Sequence, residues 1–317
     1  MTTNHRTTRR SAIGRGIAAM AGAYGVTTSV NTLRAADAPT DRAIDAHVHV
    51  WTPDTARYPL AQGFSKVDMR PPSFTPEELL AIARPNGVDR IVLIQMSFYK
   101  FDNSYMLDTM RRFPGVFSGV GIVDSAQSQP DRAMLALAKQ GVRGFRITAA
   151  KQPPDQWLEG DGMRTMWQCA AEKRLAICPL INAQYLPSVD AMCRKFPDTT
   201  VVIDHFARVG VDGEIREADL ANLCGLARHK HTHVKLSAFY ALGRKQAPYL
   251  DLVPMIRRLF DAYGPQRLMW ATDCPYQVQD GRKYDDSIAL VRDRLDFASS
   301  ADRQWLLRRT AEHVFFS

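Results

Sequence analysis

From Ile44 onward, short runs of β-branched and apolar residues alternate with longer stretches whose apolar positions recur every three or four residues. The short runs are Ala43–His49, Val88–Gln95, Val116–Val123, Val142–Thr148, Leu175–Asn182, Thr200–His205, His233–Ser237 and Arg267–Asp273. Each has the length and composition of a strand. The intervening segments "TPEELLAIAR", "NSYMLDTMRRF", "QPDRAMLALAKQ", "GMRTMWQCAAEKR", "LPSVDAMCRKF", "LANLCGLARHK" and "VPMIRRLFDAYG" carry the spacing of one helix face. Thr75-Pro76-Glu77-Glu78 adds a helix start with proline in its first turn. Strands separated by helices imply a parallel sheet, and eight of them in about 275 residues predict an α/β fold, a closed (β/α)8 TIM barrel. A doubly wound open sheet competes, but no glycine-rich phosphate loop follows the first strand. With no internal repeat and no Pro/Ser-rich linker, one domain is expected over residues 39–317.

Charge changes the picture at the start of the chain. Residues 1–38 hold Arg6, Arg9, Arg10, Arg15 and Arg34 against Asp37, a net of +4 out of +8 for all 317 residues. A polar basic start, the Arg9-Arg10 pair and a weakly hydrophobic small-residue stretch resemble a twin-arginine export signal, with Ala36-Asp37-Ala38 as its cleavage site. Ala12 and Ile13 stand where bulkier apolar residues are usual, and Arg15 interrupts the core; a disordered basic tail is the other reading. The signal implies the twin-arginine translocon as a partner and a periplasmic location; without it the chain would be cytoplasmic. The remaining mild positive excess suits small anionic ligands, and no basic helix interleaved with aromatics points to nucleic acid. No apolar run is long enough to anchor the chain in a bilayer. Cys169, Cys178, Cys193, Cys224 and Cys274 show neither CxxC spacing nor an even count, which argues against disulfides and a thiolate zinc site.

The chemistry is concentrated at the ends of the expected strands. In "IDAHVHVW" the side-chain period of a strand puts His47 and His49 on one face and Val48 and Val50 on the other. Two imidazoles so placed can grip a metal ion, donate to an anion, or sit in the core as satisfied polar groups. The sixth strand ends in His205, the eighth in Asp273, and the fourth carries Arg146 near its end. A (β/α)8 barrel assembles its site from those ends. A buried histidine or aspartate without a partner costs several kcal/mol, and these residues are natural partners of one another. Lys151 follows Arg146 on the next loop, and Arg244 lies on the loop after the seventh strand. Arg143 is placed to cap a helix or pair internally. His229, His231 and His233 have metal-like spacing but precede the seventh strand, on the face away from the chemistry. Trp51 and Tyr58 either wall a pocket or simply pack.

"DAHVHVW", "VVIDHFARVG" and "MWATDCPY", in that order, resemble the amidohydrolase superfamily over about residues 42–317, and within it the lactonase branch that includes pyrone-dicarboxylate lactonases and sulfomuconolactone hydrolases. The resemblance implies a hydrolase that opens a small anionic lactone in aromatic-compound degradation. It implies His47, His49, His205 and Asp273 as ligands of one divalent ion, zinc being expected, with Asp273 and His205 catalytic. A metal-free route, in which the imidazoles donate to the oxyanion and Asp273 still activates water, stays open. It also implies Arg146 and Arg244 as anion-binding residues; Lys151 joins them as a candidate by its place on the loop, where a solvated charge is the other reading. Arg146 stands where the superfamily often carries a lysine or glutamate bridging two metals, and Asn182 stands where a histidine is usual, so a two-metal site is not expected. Gln152 marks a further difference in the anion clamp. Two other functions share these residues: a metal-dependent decarboxylase of the same superfamily, and a non-catalytic periplasmic binding protein.

Overall fold

The computed structural model describes residues 42–149 and 152–317, so the export-signal segment and Lys151 lie outside the described residues. Strands β1 (Ala43–Val48), β2 (Val88–Ile94), β3 (Phe117–Gly121), β4 (Val142–Thr148), β5 (Ala176–Leu180), β6 (Thr200–Ile203), β7 (Thr232–Leu236) and β8 (Leu268–Trp270) lie side by side in chain order. Every neighbouring pair is parallel. Beyond the end of β8 the sheet closes on β1: Val48 bridges Cys274, and the Asp273 amide donates to the His47 carbonyl at 2.9 Å. Helices α1 (Pro76–Ala83), α2 (Ser104–Arg112), α3 (Pro130–Ala138), α4 (Asp161–Lys173), α5 (Leu186–Lys195), α6 (Glu217–Gly225), α7 (Val253–Tyr263) and α8 (Tyr284–Asp293) follow the strands in turn. The chain is a (β/α)8 barrel, as the alternating pattern predicts. Among the described residues no helix is long and apolar enough to cross a membrane, and the five cysteines are free thiols.

Local chemistry accounts for the elements. Thr75 caps α1 and Glu78 returns a bond to the Thr75 amide at 2.5 Å, while Pro76, with no N–H to satisfy, opens the helix. The strands are buried on both faces, which explains their near-continuous apolar character. Their outward residues pack under the helices; inward residues such as Val92, Ile94, Cys178, Val202 and Met269 form a separate cluster inside the barrel.

The observed strands stop short of the expected ends. The apolar run at β6 reaches His205 in the sequence, but the strand ends at Ile203, and His205, Phe206 and Ala207 turn through left-handed φ values of 50°, 54° and 52°. β8 ends at Trp270, and Asp273 has a φ of 67°. The two residues expected at strand ends therefore sit on the first turns of the loops, in conformations that cost an ordinary residue about 1–2 kcal/mol.

β1 departs from simple alternation. Asp45 is opposite Ile91 and Val48 opposite Leu93, so β1 takes three steps where β2 takes two. This bulge lies at Ala46 and His47. Ile44 and Ala46 belong to the inner cluster and Val48 to the outer one. A strict period of two would point Asp45 and His47 the same way. The extra residue instead sends Asp45 outward to α8, where Tyr284 donates to its Oδ2 at 2.8 Å.

The lower end of the barrel is filled from the C-terminal side of the chain. After α9 (Ser300–Gln304) a single π-helical stretch, Trp305–Arg309, leads into α10 (Thr310–Phe315). Ala311, Val314 and Phe315 join the inner cluster. Gly144 of β4 leaves the necessary space: a Cβ there would stand 3.1 Å from Cys178 Sγ and 3.3 Å from the Phe315 ring. Phe315 is 1% exposed and lies under the Lys235 ammonium, 5.4 Å from the ring centre. Phe315→Ala is expected to cost about 3–5 kcal/mol through the cavity it leaves. Denaturant unfolding measures this, and a midpoint near wild type would show that α10 does not bear on the barrel interior.

Candidate active site

Four elements bring the polar residues to the rim. β1 supplies His47 and its continuation His49; the turn after β6 supplies Asp204 and His205; β4 supplies Arg146; the segment after β8 supplies Asp273. All six are at least nine-tenths buried. His47 Nε2 and His49 Nε2 are 3.3 Å apart, and Asp273 Oδ1 is 3.5 Å from the first and 3.3 Å from the second. His205 Nε2 is 3.8 Å from the same carboxylate oxygen. The four residues singled out in the sequence for metal and catalytic roles thus meet at one point. The compact group able to hold a metal is His47, His49 and Asp273, with His205 standing beside it.

Hydrogen bonds on the far side of each ring decide which nitrogen faces that point. The Ile94 carbonyl can only accept, so His49 Nδ1, 2.9 Å away, carries the proton and Nε2 presents a lone pair. His205 Nδ1 pairs with Ser237 Oγ at 2.8 Å, and that hydroxyl is oriented toward the Lys235 carbonyl, which leaves His205 Nε2 as an acceptor. Arg146 can only donate, and its Nη2 is 2.8 Å from His47 Nε2. Asp273 Oδ1 is buried and has no hydrogen-bond partner, while Oδ2 accepts from the Tyr240 hydroxyl at 2.6 Å. The focus of the site is therefore built of acceptors.

Below it lies a charge cluster. Asp204 accepts from Arg146 Nη2 at 3.0 Å and stands 3.0 Å from Lys235 Nζ and 3.3 Å from His47 Nδ1. Lys235 is fully buried. Burial alone would raise the Asp204 carboxyl, but Lys235, His47 and Arg146 hold it well below the usual carboxylate range. Burial and the Lys235 cation push His47 well below its ordinary value, and burial lowers His205 to about 4, so both rings are neutral at pH 7. Burial likewise opposes ionisation of Asp273, yet its carboxyl lies below the usual carboxylate range, and the Tyr240 hydroxyl donating to Oδ2 favours the carboxylate.

One further carboxylate locks the site's two sides together. Asp45 Oδ1 accepts from the Thr272 amide at 2.9 Å and the His47 amide at 3.2 Å; Oδ2 accepts from Thr272 Oγ1 at 2.5 Å as well as from Tyr284. Burial pushes the Asp45 carboxyl up to about 6 against these four donors.

The other residues singled out in the sequence fall elsewhere. Arg244 is exposed, and its backbone amide bonds Asp251; no side-chain contact ties it to the imidazoles. Arg143 caps α3 through the Ala138 carbonyl at 3.1 Å. His229 pairs with Asp190 at 2.7 Å, and His233 Nδ1 bonds the His231 carbonyl near the start of β7, so those three histidines do not gather. Trp51 and Tyr58 are packed, donating to the Pro71 carbonyl and to Asp108. Asp204, Lys235, Tyr240 and Asp45 escaped the sequence reading. Lys235 left a signal, a charge inside the apolar run "HVKLS", and so did Asp204 in "VVIDHF". Tyr240 left none.

Three buried imidazoles sit below their ordinary value of 6.5: His47 far below, and His205 and His233 at about 4, each because burial penalises the charged ring. As pH falls through 6.5 the unfolded chain takes up three protons there that the folded chain refuses, so stability drops. Asp45 acts oppositely, binding its proton near pH 6 when folded, but one group does not offset three. A loss of about 2 kcal/mol between roughly pH 6.5 and 5.5 is expected from chemical denaturation. A flat profile across that range would rule out neutral buried rings.

The profile of the amidohydrolase family matches residues 44–316. An L-fucono-1,5-lactonase of Burkholderia ambifaria is 28% identical over 241 residues, 73% of this chain and 80% of that protein. A 4-sulfomuconolactone hydrolase of Rhizobium radiobacter is 29% identical over 251 residues, 77% of this chain and 80% of its own length. Among solved structures, an amidohydrolase of Burkholderia multivorans with bound zinc superposes with a TM-score of 0.70 at 22% identity, over 87% of this chain and 99% of that one. With its paired histidines, later histidine and late aspartate gathered on one barrel rim and a family match spanning nearly the whole barrel, the chain belongs to the amidohydrolase family.

Proposed function

We propose that this protein hydrolyses a small anionic lactone, a carboxylated or sulfonated muconolactone or pyrone being the substrate class, with Asp273 as the base. The observation that carries the proposal is the setting of Asp273: buried, clamped through Oδ2 by Tyr240, and with Oδ1 free to take a proton. Water attacking the lactone carbonyl gives up a proton to that oxygen. The ring C–O bond then breaks, and the proton passes to the departing ring oxygen, which becomes a hydroxyl. The other product is a carboxylate, so one proton is released per turnover at neutral pH. His205 adjoins the same oxygen and is the second catalytic candidate.

Recognition of an anion falls to Arg146. Its Nη2 serves both His47 and Asp204, while Nε is buried without a partner, so the guanidinium has donors to spare for a substrate carboxylate or sulfonate. Lys151 and Arg244 remain candidates for the same task on the loops after β4 and β7. The lactone-hydrolase names of the two relatives support the substrate class.

The donor set also fits a single divalent ion. A tetrahedral zinc site with bonds of about 2.0–2.1 Å has ligand atoms about 3.3–3.4 Å apart; His47 Nε2, His49 Nε2 and Asp273 Oδ1 are separated by 3.3–3.5 Å. The orphaned Asp273 oxygen is the kind of atom such an ion would satisfy. Zinc held by these residues, with His205 nearby, would supply Lewis-acid polarisation of the carbonyl. The positioning of Asp273 and the lowered basicity of His47 and His205 come from the chain itself. The twin-arginine segment, if cleaved, would leave the enzyme in the periplasm.

The test is a hydrolysis panel of muconolactones and pyrone dicarboxylates, run before and after chelation, following lactone absorbance and proton release. Loss of absorbance with one proton per turnover supports the proposal. Release of carbon dioxide instead would favour a decarboxylase, and binding without turnover a non-catalytic receptor. Asp273→Asn and His47→Ala are each expected to lower kcat at least about a hundredfold. A rate for Asp273→Asn close to wild type would remove this residue from the mechanism.

A further inference from the structure

The His47 lone pair has two claimants. A metal ion bound by His47, His49 and Asp273 would need His47 Nε2 as a ligand, yet Arg146 Nη2 lies 2.8 Å from that nitrogen and can engage it only by donating a hydrogen. The ring cannot turn to offer Nδ1 instead, because that nitrogen faces Asp204 at 3.3 Å and Lys235 at 3.3 Å. One lone pair cannot serve a guanidinium and a metal ion together.

Charge counts the same way. The buried cluster holds two carboxylates, Asp204 and Asp273, and two cations, Arg146 and Lys235. A dication placed at the rim would leave two positive charges uncompensated in a region of low dielectric, next to a guanidinium that cannot lose its proton. Lys235 is fixed beneath His47 by Asp204 and Phe315. Arg146 is the one cation whose hydrogen bond lies on the metal-binding nitrogen itself.

We propose that Arg146 sets the metal affinity of this centre: its guanidinium competes with a divalent ion for His47 Nε2, and metal binding requires that hydrogen bond to break. The same arginine is the candidate partner of the substrate's anionic group. An anion that draws the guanidinium away from His47 therefore frees the lone pair, and by linkage the anion and the metal strengthen each other's binding. This inference rests on the metal-capable reading of His47, His49 and Asp273 given above. It does not need the lactonase reading, because it is measured without substrate.

The experiment strips the protein with chelator and measures zinc affinity by competition with a chromophoric chelator. The chains compared are wild type, Arg146→Met, Arg146→Lys and the double variant Arg146→Met with His47→Ala. Met fills the volume but neither donates nor carries charge, and is expected to tighten zinc binding at least tenfold. Lys keeps the charge but loses the fork, and is expected between wild type and Met. Removing His47 as well should abolish the gain. Unchanged or weaker zinc binding in Arg146→Met overturns the proposal, as does a gain that survives loss of His47. Should Arg146→Met fail to fold, Arg146→Gln removes the same cation and is read by the same criteria. Substrate turnover plays no part in these readings, so failure here and failure of the hydrolysis panel are separate results.

Discussion

The Asp45 carboxylate is the constraint on which the site depends. A barrel of eight strands must join its last strand to its first, and here the join falls where β8 has already ended. Asp45 supplies acceptors where backbone carbonyls are out of register, taking the Thr272 amide and the His47 amide on one oxygen. His47 and Asp273 each lie within two residues of this carboxylate along their own segments. Their mutual geometry is consequently set by one buried side chain rather than by two independent loops. The carboxyl remains in place without a cation because four donors converge on it.

Above this joint the molecule resolves an electrostatic problem. Neutral imidazoles pointing lone pairs at a carboxylate oxygen repel one another unless something positive intervenes. Asp204 answers by anchoring two cations below the rings, one donating to His47 from the side and one lying beneath it. Burial of four formal charges is costly, and removing any one would leave an uncompensated partner. The cluster explains why an interior otherwise filled by Val92, Val202 and Met269 tolerates a lysine.

Much of this was legible in the sequence. The alternation of β-branched runs and helical periods gave the barrel, and HxH, the later histidine and the TDxP aspartate marked three of its strand ends. Polar residues interrupting an apolar strand are visible because burial makes them expensive, and that cost is what made His47, Arg146 and Asp273 stand out. Strand ends were less legible: an apolar run does not announce that His205 lies past the end of its strand in a left-handed turn. Tyr240 could not be foreseen, since a tyrosine in "SAFYALG" looks the same whether it packs or holds a carboxylate. Asp45 escaped notice for a definite reason. Period-two reasoning puts it with His47, and only pairing with β2 reveals the extra residue between them.

That extra residue makes β1 a strand with two reading frames. Its lower half is phased to the barrel interior and the closing carboxylate, its upper half to the chemistry, and Ala46 is where one frame yields to the other. A designer who transplants the two histidines onto another eight-stranded scaffold would have to carry this supernumerary position with them. Without it the imidazoles would arrive one step lower on the strand, or the acidic residue would swing into the lumen in place of the outer layer.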